Sequence, residues 1–97
     1  MDEQRAEQLA RIGCIVCRLY RGVHSPAHIH HLQGLKYRAM GKKASDMHSI
    51  GLCPSHHQYG TKDEPSVHSH PAEFERRFGT QEELLEATNK MIEAARW

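Results

Sequence analysis

Apolar residues fall in short clusters separated by polar runs, and their spacing predicts a mixed α+β chain. Ala6, Leu9, Ala10 and Ile12 recur at helical spacing, so residues 2–12 read as a short amphipathic helix that Gly13 stops. Residues 26–32 alternate around Ile29 and suit a strand, ended by Gln33-Gly34. The Gly- and Lys-rich stretch 33–46 reads as a loop, and residues 49–53 suit a second short strand. Pro54, acceptable at a first helical position, opens a helix of about two turns that ends by Gly60. After a polar linker at 61–66, Pro71 opens a helix through Phe74 and Phe78 that Gly79 stops. Thr80-Gln-Glu-Glu83 is a capping box for a final helix with Leu84, Leu85, Thr88, Met91, Ile92 and Ala95 on one stripe. That stripe is core packing.

Length changes this picture. With 97 residues, 38% hydrophobic and only 6% aromatic, packing alone leaves a small core thin, and such domains need a staple. Three cysteines cannot pair completely, whereas nine histidines are a large excess. Both observations point to metal. No stretch approaches the roughly 20 apolar residues that span a bilayer, and the polar, acidic start is not a secretory signal, so no membrane partner and a cytoplasmic location with reduced thiols are expected. Net charge is only +1. Its distribution is more telling, because no acid falls between Glu7 and Asp46 while Arg11, Arg18, Arg21, Lys36, Arg38, Lys42 and Lys43 do. Lys36, Arg38, Lys42 and Lys43 are the candidate DNA contacts, since cations gain affinity by releasing counterions from phosphate. An ordinary solvated surface is the alternative.

Cys14-Ile-Val-Cys17 and Cys53-Pro-Ser-His56 are two half-sites about 35 residues apart. Two intervening residues let both side chains of a knuckle face one ion, and two knuckles close a tetrahedral shell. Thiolate and imidazole donors favour zinc, and a closed shell is structural. His56 and His57 are adjacent, and the spacing prefers His56 as the fourth ligand. The neighbouring pair His30-His31 divides differently. Consecutive strand residues project to opposite sides, so one imidazole can ligate a cation while the other takes a proton from water. A strand pair supplying these two, closed by a helix supplying His57, makes a metal cleft.

Ala27-His-Ile-His-His31 followed by Leu52-Cys-Pro-Ser-His-His57 resembles the HNH (ββα-metal, His-Me finger) nuclease core with an embedded zinc knuckle. More narrowly, the chain resembles the phage recombination-enhancement (Ref-like), RecA-dependent nucleases. The matching pieces are Ile29-His-His-Leu32, Met40-Gly-Lys-Lys-Ala-Ser-Asp46, the Leu-Cys-Pro-Ser-His-His segment, Val67-His68 and Phe74 to Leu85, in order over about residues 13–92. The resemblance implies a single nuclease domain over 1–97, with a core at about 13–60, an N-terminal helix, and C-terminal helices at about 71–95. It implies that His31 is the general base, and that His30, His57 and His68 hold a catalytic Mg²⁺, Mn²⁺ or Zn²⁺, with His70 as the alternative to His68. DNA is the implied substrate, a RecA filament an implied partner, and phage or prophage the implied origin. His48 stands where HNH motifs carry Asn, which leaves Asp46 and a backbone carbonyl as candidates to orient His31. Gly51 stands where the family favours Pro. The phage prototype carries a long basic arm ahead of its nuclease domain, whereas about a dozen residues with three acids precede Cys14 here, pointing to a partner or a dimer. Two other classes fit the residues, a zinc-stabilised nucleic-acid-binding module without catalysis and a zinc-stapled protein-interaction domain.

Overall fold

The computed structural model describes residues 1–95. Helix α1, Glu3–Ile12, starts where the Asp2 carboxylate accepts from the Arg5 N–H, 2.8 Å away, and ends at Gly13 with φ 74°. Its buried positions are Arg5, Leu9 and Ile12, whereas Ala10 is exposed. An arginine can take a buried position here because its guanidinium donates to the Ser49 carbonyl (2.6 Å) and to Asn89 Oδ1 (2.8 Å).

Helix α2, Ile15–Arg21, extends the first cysteine pair into a helix that the apolar pattern does not announce. Ile15, Val16 and Cys17 are buried, but Leu19, Tyr20 and Val23 face outward and blur the periodicity. Strands β1 (His28–His31) and β2 (Ser49–Leu52) pair antiparallel, with His30 opposite Ile50 and His31 opposite Ser49. Alternation along β1 is the reverse of the apolar reading: Ile29 is exposed, while His30 and Leu32 are buried.

The segment between the strands is not simply a loop. It contains α3 (Leu35–Arg38) and α4 (Lys42–Met47). Its glycines sit at the helix starts, Gly34 before α3 and Gly41 before α4, and lysine and arginine are good helix formers, so a glycine-rich composition concealed two short helices. Helix α5, Pro54–His57, is a single turn opened by its proline.

Helices α6 (Pro71–Phe78) and α7 (Gln81–Ala95) close the molecule. The capping box forms as expected: Thr80 Oγ1 accepts from the Glu83 N–H (3.1 Å) and Glu83 Oε1 from the Thr80 N–H (3.0 Å). Leu84 and Thr88 are buried, Leu85, Met91 and Ile92 pack at the core margin, and Ala95 is exposed. α1, α2 and α7 all pack on β2, whose four residues are buried, and α5 packs against both strands. Gly51 explains how closely the first knuckle approaches, because a Cβ there would lie 2.6 Å from the Gly13 carbonyl oxygen. Among the described residues no helix is long and apolar enough to cross a membrane.

Candidate metal centre and active site

Two clusters of donor atoms share α5, which supplies His56 to one and His57 to the other. In the first, Cys14, Cys17, Cys53 and His56 are all buried and converge within 4.8 Å of one another. Cys14 Sγ lies 3.5 Å, Cys17 Sγ 3.7 Å and Cys53 Sγ 3.1 Å from His56 Nδ1, and Cys17 and Cys53 Sγ are 3.9 Å apart. A tetrahedral zinc with ordinary Zn–S and Zn–N bonds needs edges of about 3.5–3.8 Å, so the four residues fit the ion. The other nitrogen of His56, Nε2, is 2.7 Å from Glu64 Oε1, and Glu64 pairs with Arg21. That carboxylate holds the ring with Nδ1 toward the sulfurs. Burial pushes the Cys14 thiol up to about 12, so a cation is what would let this cage carry thiolates. The Cys₃His cluster can hold a metal such as zinc.

His30, His57 and His68 form the second cluster of possible metal donors. His57 and His68 Nε2 are 3.2 Å apart, the edge expected for two nitrogens on one ion at about 2.0–2.1 Å. The three residues grade from buried His30 through half-buried His57 to exposed His68, so this cluster opens to solvent on one side. Paired backbones set its shape: the Val67 N–H donates to the His56 carbonyl (2.8 Å) and the His68 N–H to the His57 carbonyl (3.2 Å). The intervening loop turns tightly at Gly60, where a Cβ would come within 2.2 Å of the Ser66 nitrogen. Burial, and then the neighbouring His30, His68 and His28, press His57 down to about 4. Burial likewise lowers His30. Both rings are therefore neutral at neutral pH, the form that ligates. His70 lies outside the cluster, bonded to Ser69 Oγ at 2.9 Å.

His31 points the other way. Its Nε2 is 3.0 Å from Asp46 Oδ1, and its ring remains 44% exposed. Asp46 is itself fixed by the Asp2 N–H at 3.0 Å, and the bond from His31 chiefly holds its carboxyl below the usual range. His31 opens onto a cleft of about 790 Å³ whose lining includes Gln33, Tyr37, Arg38 and Lys42. Lys36 lies over the Tyr37 ring, 5.4 Å from its centre, and Lys43 borders a separate depression with Asp2 and His48. Of the four candidate cations, the structure thus puts Arg38 and Lys42 beside His31. His48 Nδ1 is engaged with the Ala44 carbonyl at 2.8 Å and does not reach His31.

The family model of recombination-enhancement, RecA-dependent nucleases matches residues 1–93. The chain belongs to this family. Its description makes the family one of nucleases acting in recombination, and hence of enzymes. No curated protein and no solved structure matches the chain.

Beside the histidines that resemble the nuclease motif, this family member places two residues that spacing did not single out. His28 Nδ1 is 3.4 Å from His57 Nδ1, and Gln81 Oε1 is 2.9 Å from His30 Nε2. His28 shares strand parity with His30, which was a readable signal. Gln81 comes from a helix 51 residues beyond His30, and nothing local in the sequence connects them.

Proposed function

We propose that this chain is an HNH-type, metal-dependent DNA endonuclease, a single nuclease domain whose β1, β2 and α5 form a ββα-metal core. The observation that carries the reading is the divergence of His30 and His31, one turned into a three-histidine cluster and the other onto an open cleft lined by Arg38 and Lys42. In this reading His31 takes a proton from the water that attacks phosphorus. Asp46 holds the imidazole through Nε2, leaving Nδ1 as the nitrogen that accepts it. Attack breaks the bond to the 3′ oxygen and yields a 3′ hydroxyl and a 5′ phosphate. A divalent cation held by His30, His57 and His68 (Mg²⁺, Mn²⁺ or Zn²⁺) would supply charge stabilisation at the phosphate and the leaving oxygen. Arg38 and Lys42, with Lys36 and Lys43 further out, would bind the flanking phosphates. Cys14, Cys17, Cys53 and His56 would carry a structural zinc. A RecA filament on DNA is the partner that the family's description suggests.

The test is nicking of supercoiled plasmid, and of the same DNA coated with RecA, in Mg²⁺ and Mn²⁺. His31→Ala should lose about 10²–10⁴-fold in rate while fold and zinc content survive. Undiminished nicking by that variant would remove His31 as the base. Binding without any cleavage by the wild-type chain would instead leave a zinc-stabilised nucleic-acid-binding module.

A further inference from the structure

Gln81 is the first residue of α7, and the reciprocal bonds between Thr80 and Glu83 fix that helix start. Its side-chain oxygen reaches back to β1 and to Gln33 just beyond it, where it meets two groups. The Gln33 backbone nitrogen lies 3.0 Å away and His30 Nε2 2.9 Å away. A backbone N–H can only donate, so the Gln81 atom facing both is an acceptor, which identifies it as the amide oxygen. His30 must then donate as well. Its proton sits on Nε2, and the lone pair remains on Nδ1. His30 is 3% exposed, so no water competes freely for that bond.

From this geometry we propose that Gln81 is a positioning residue that fixes His30 in the Nε2–H tautomer and presents Nδ1 to the ion. The inference rests on His30 being a metal ligand, as proposed above. It gives the C-terminal helix a part in the open site, where a neutral amide does for His30 what Glu64 does for His56. Partners of this kind change metal affinity by about 10–100-fold when removed.

Two readouts on zinc-loaded protein test it. Long-range ¹H–¹⁵N correlation spectra at neutral pH, recorded before any second metal is added, should show His30 protonated at Nε2 in the wild type. Gln81→Leu, similar in size but without an acceptor, should lose that uniform tautomer. Titration with Mn²⁺, followed by electron paramagnetic resonance, should show about 10–100-fold weaker binding in Gln81→Leu, with one zinc per chain retained. Gln81→Glu keeps an acceptor and adds favourable charge at a helix start, so it should hold the Nε2–H tautomer and bind Mn²⁺ at least as tightly as the wild type. A wild-type His30 protonated at Nδ1, or equal Mn²⁺ affinity in Gln81→Leu and wild type, overturns the proposal. Failure of the wild type to bind Mn²⁺ while His30 keeps its Nε2 proton overturns the metal reading itself, and with it the ligand half of the proposal.

Discussion

The two donor clusters that share α5 both use histidine yet differ in burial, in donor chemistry and in number of donors. The Cys₃His cluster is wholly buried, supplies four donors and leaves no direction open. The three-histidine cluster supplies three, and its burial falls off from His30 to His68. A full shell holds an ion as part of the fold; an incomplete one leaves room for water or phosphate. Histidine alone therefore does not tell a closed donor set from an open one. What separates His56 from His57, neighbours in the chain, is whether the remaining donors are three buried thiols or two imidazoles, one buried and one exposed.

The comparison can be broken most forcefully from the closed side. Cys53→Ser should remove zinc and the folded state together, because structural zinc contributes on the order of 10 kcal/mol to small domains of this kind. Circular dichroism and zinc content measured together will check it, and a folded, zinc-free variant would show that packing suffices. On the open side, His57→Ala should leave the fold and the zinc intact, abolish binding of the second ion and reduce nicking by at least about 10²-fold. Loss of the fold in that variant would mean that the two clusters are not functionally separate.

Acid provides a gentler probe. With the open site metal-free, His57 titrates near 4 in the folded protein against 6.5 for an ordinary histidine. Between those values the unfolded chain binds a proton that the native state refuses. Stability is therefore complete above about pH 6.5 and declines as pH falls toward 4. Since His57 is half-exposed, the drop in Tm between pH 7 and pH 5 should be only about 5 °C or less, and His57→Gln should lessen it, leaving the share of His30, which burial also lowers. A Tm that rises over that interval would contradict the sign. The smallest effect is expected at the cleft, where Lys42→Ala should weaken DNA binding and lower the salt dependence of the affinity by about one counterion, with cleavage of saturated DNA little changed. An unchanged salt slope would take Lys42 off the DNA path.

Much of this was legible in the chain. Cysteine spacing picked the four cage residues, and strand parity separated His30 from His31, because both rules are local. Helices α1, α6 and α7 announced themselves through periodicity, Pro71 and the Thr80–Glu83 box. The concealed features depend on tertiary context. α3 and α4 are too short to show a period, and α2 turns apolar side chains outward. Arg5 is buried because Ser49 and Asn89 happen to meet it. Gln81 is invisible from sequence because its relation to His30 exists only once α7 packs against the sheet. Asp46 was within reach as one of two candidates for orienting His31, and its Oδ1 lies 3.0 Å from His31 Nε2.

One peptide bond joins His56 to His57, and the backbone of Val67 and His68 is fastened to both. In mechanical terms this is a lever without slack. A displacement of an ion held in the cage would be transmitted to two of the three open-site histidines at once, and productive alignment tolerates only about 0.5 Å. With zinc bound, the cage would serve as an alignment jig as well as a staple. Exchanging its zinc for a larger thiophilic ion should detune catalysis even in a protein that stays folded.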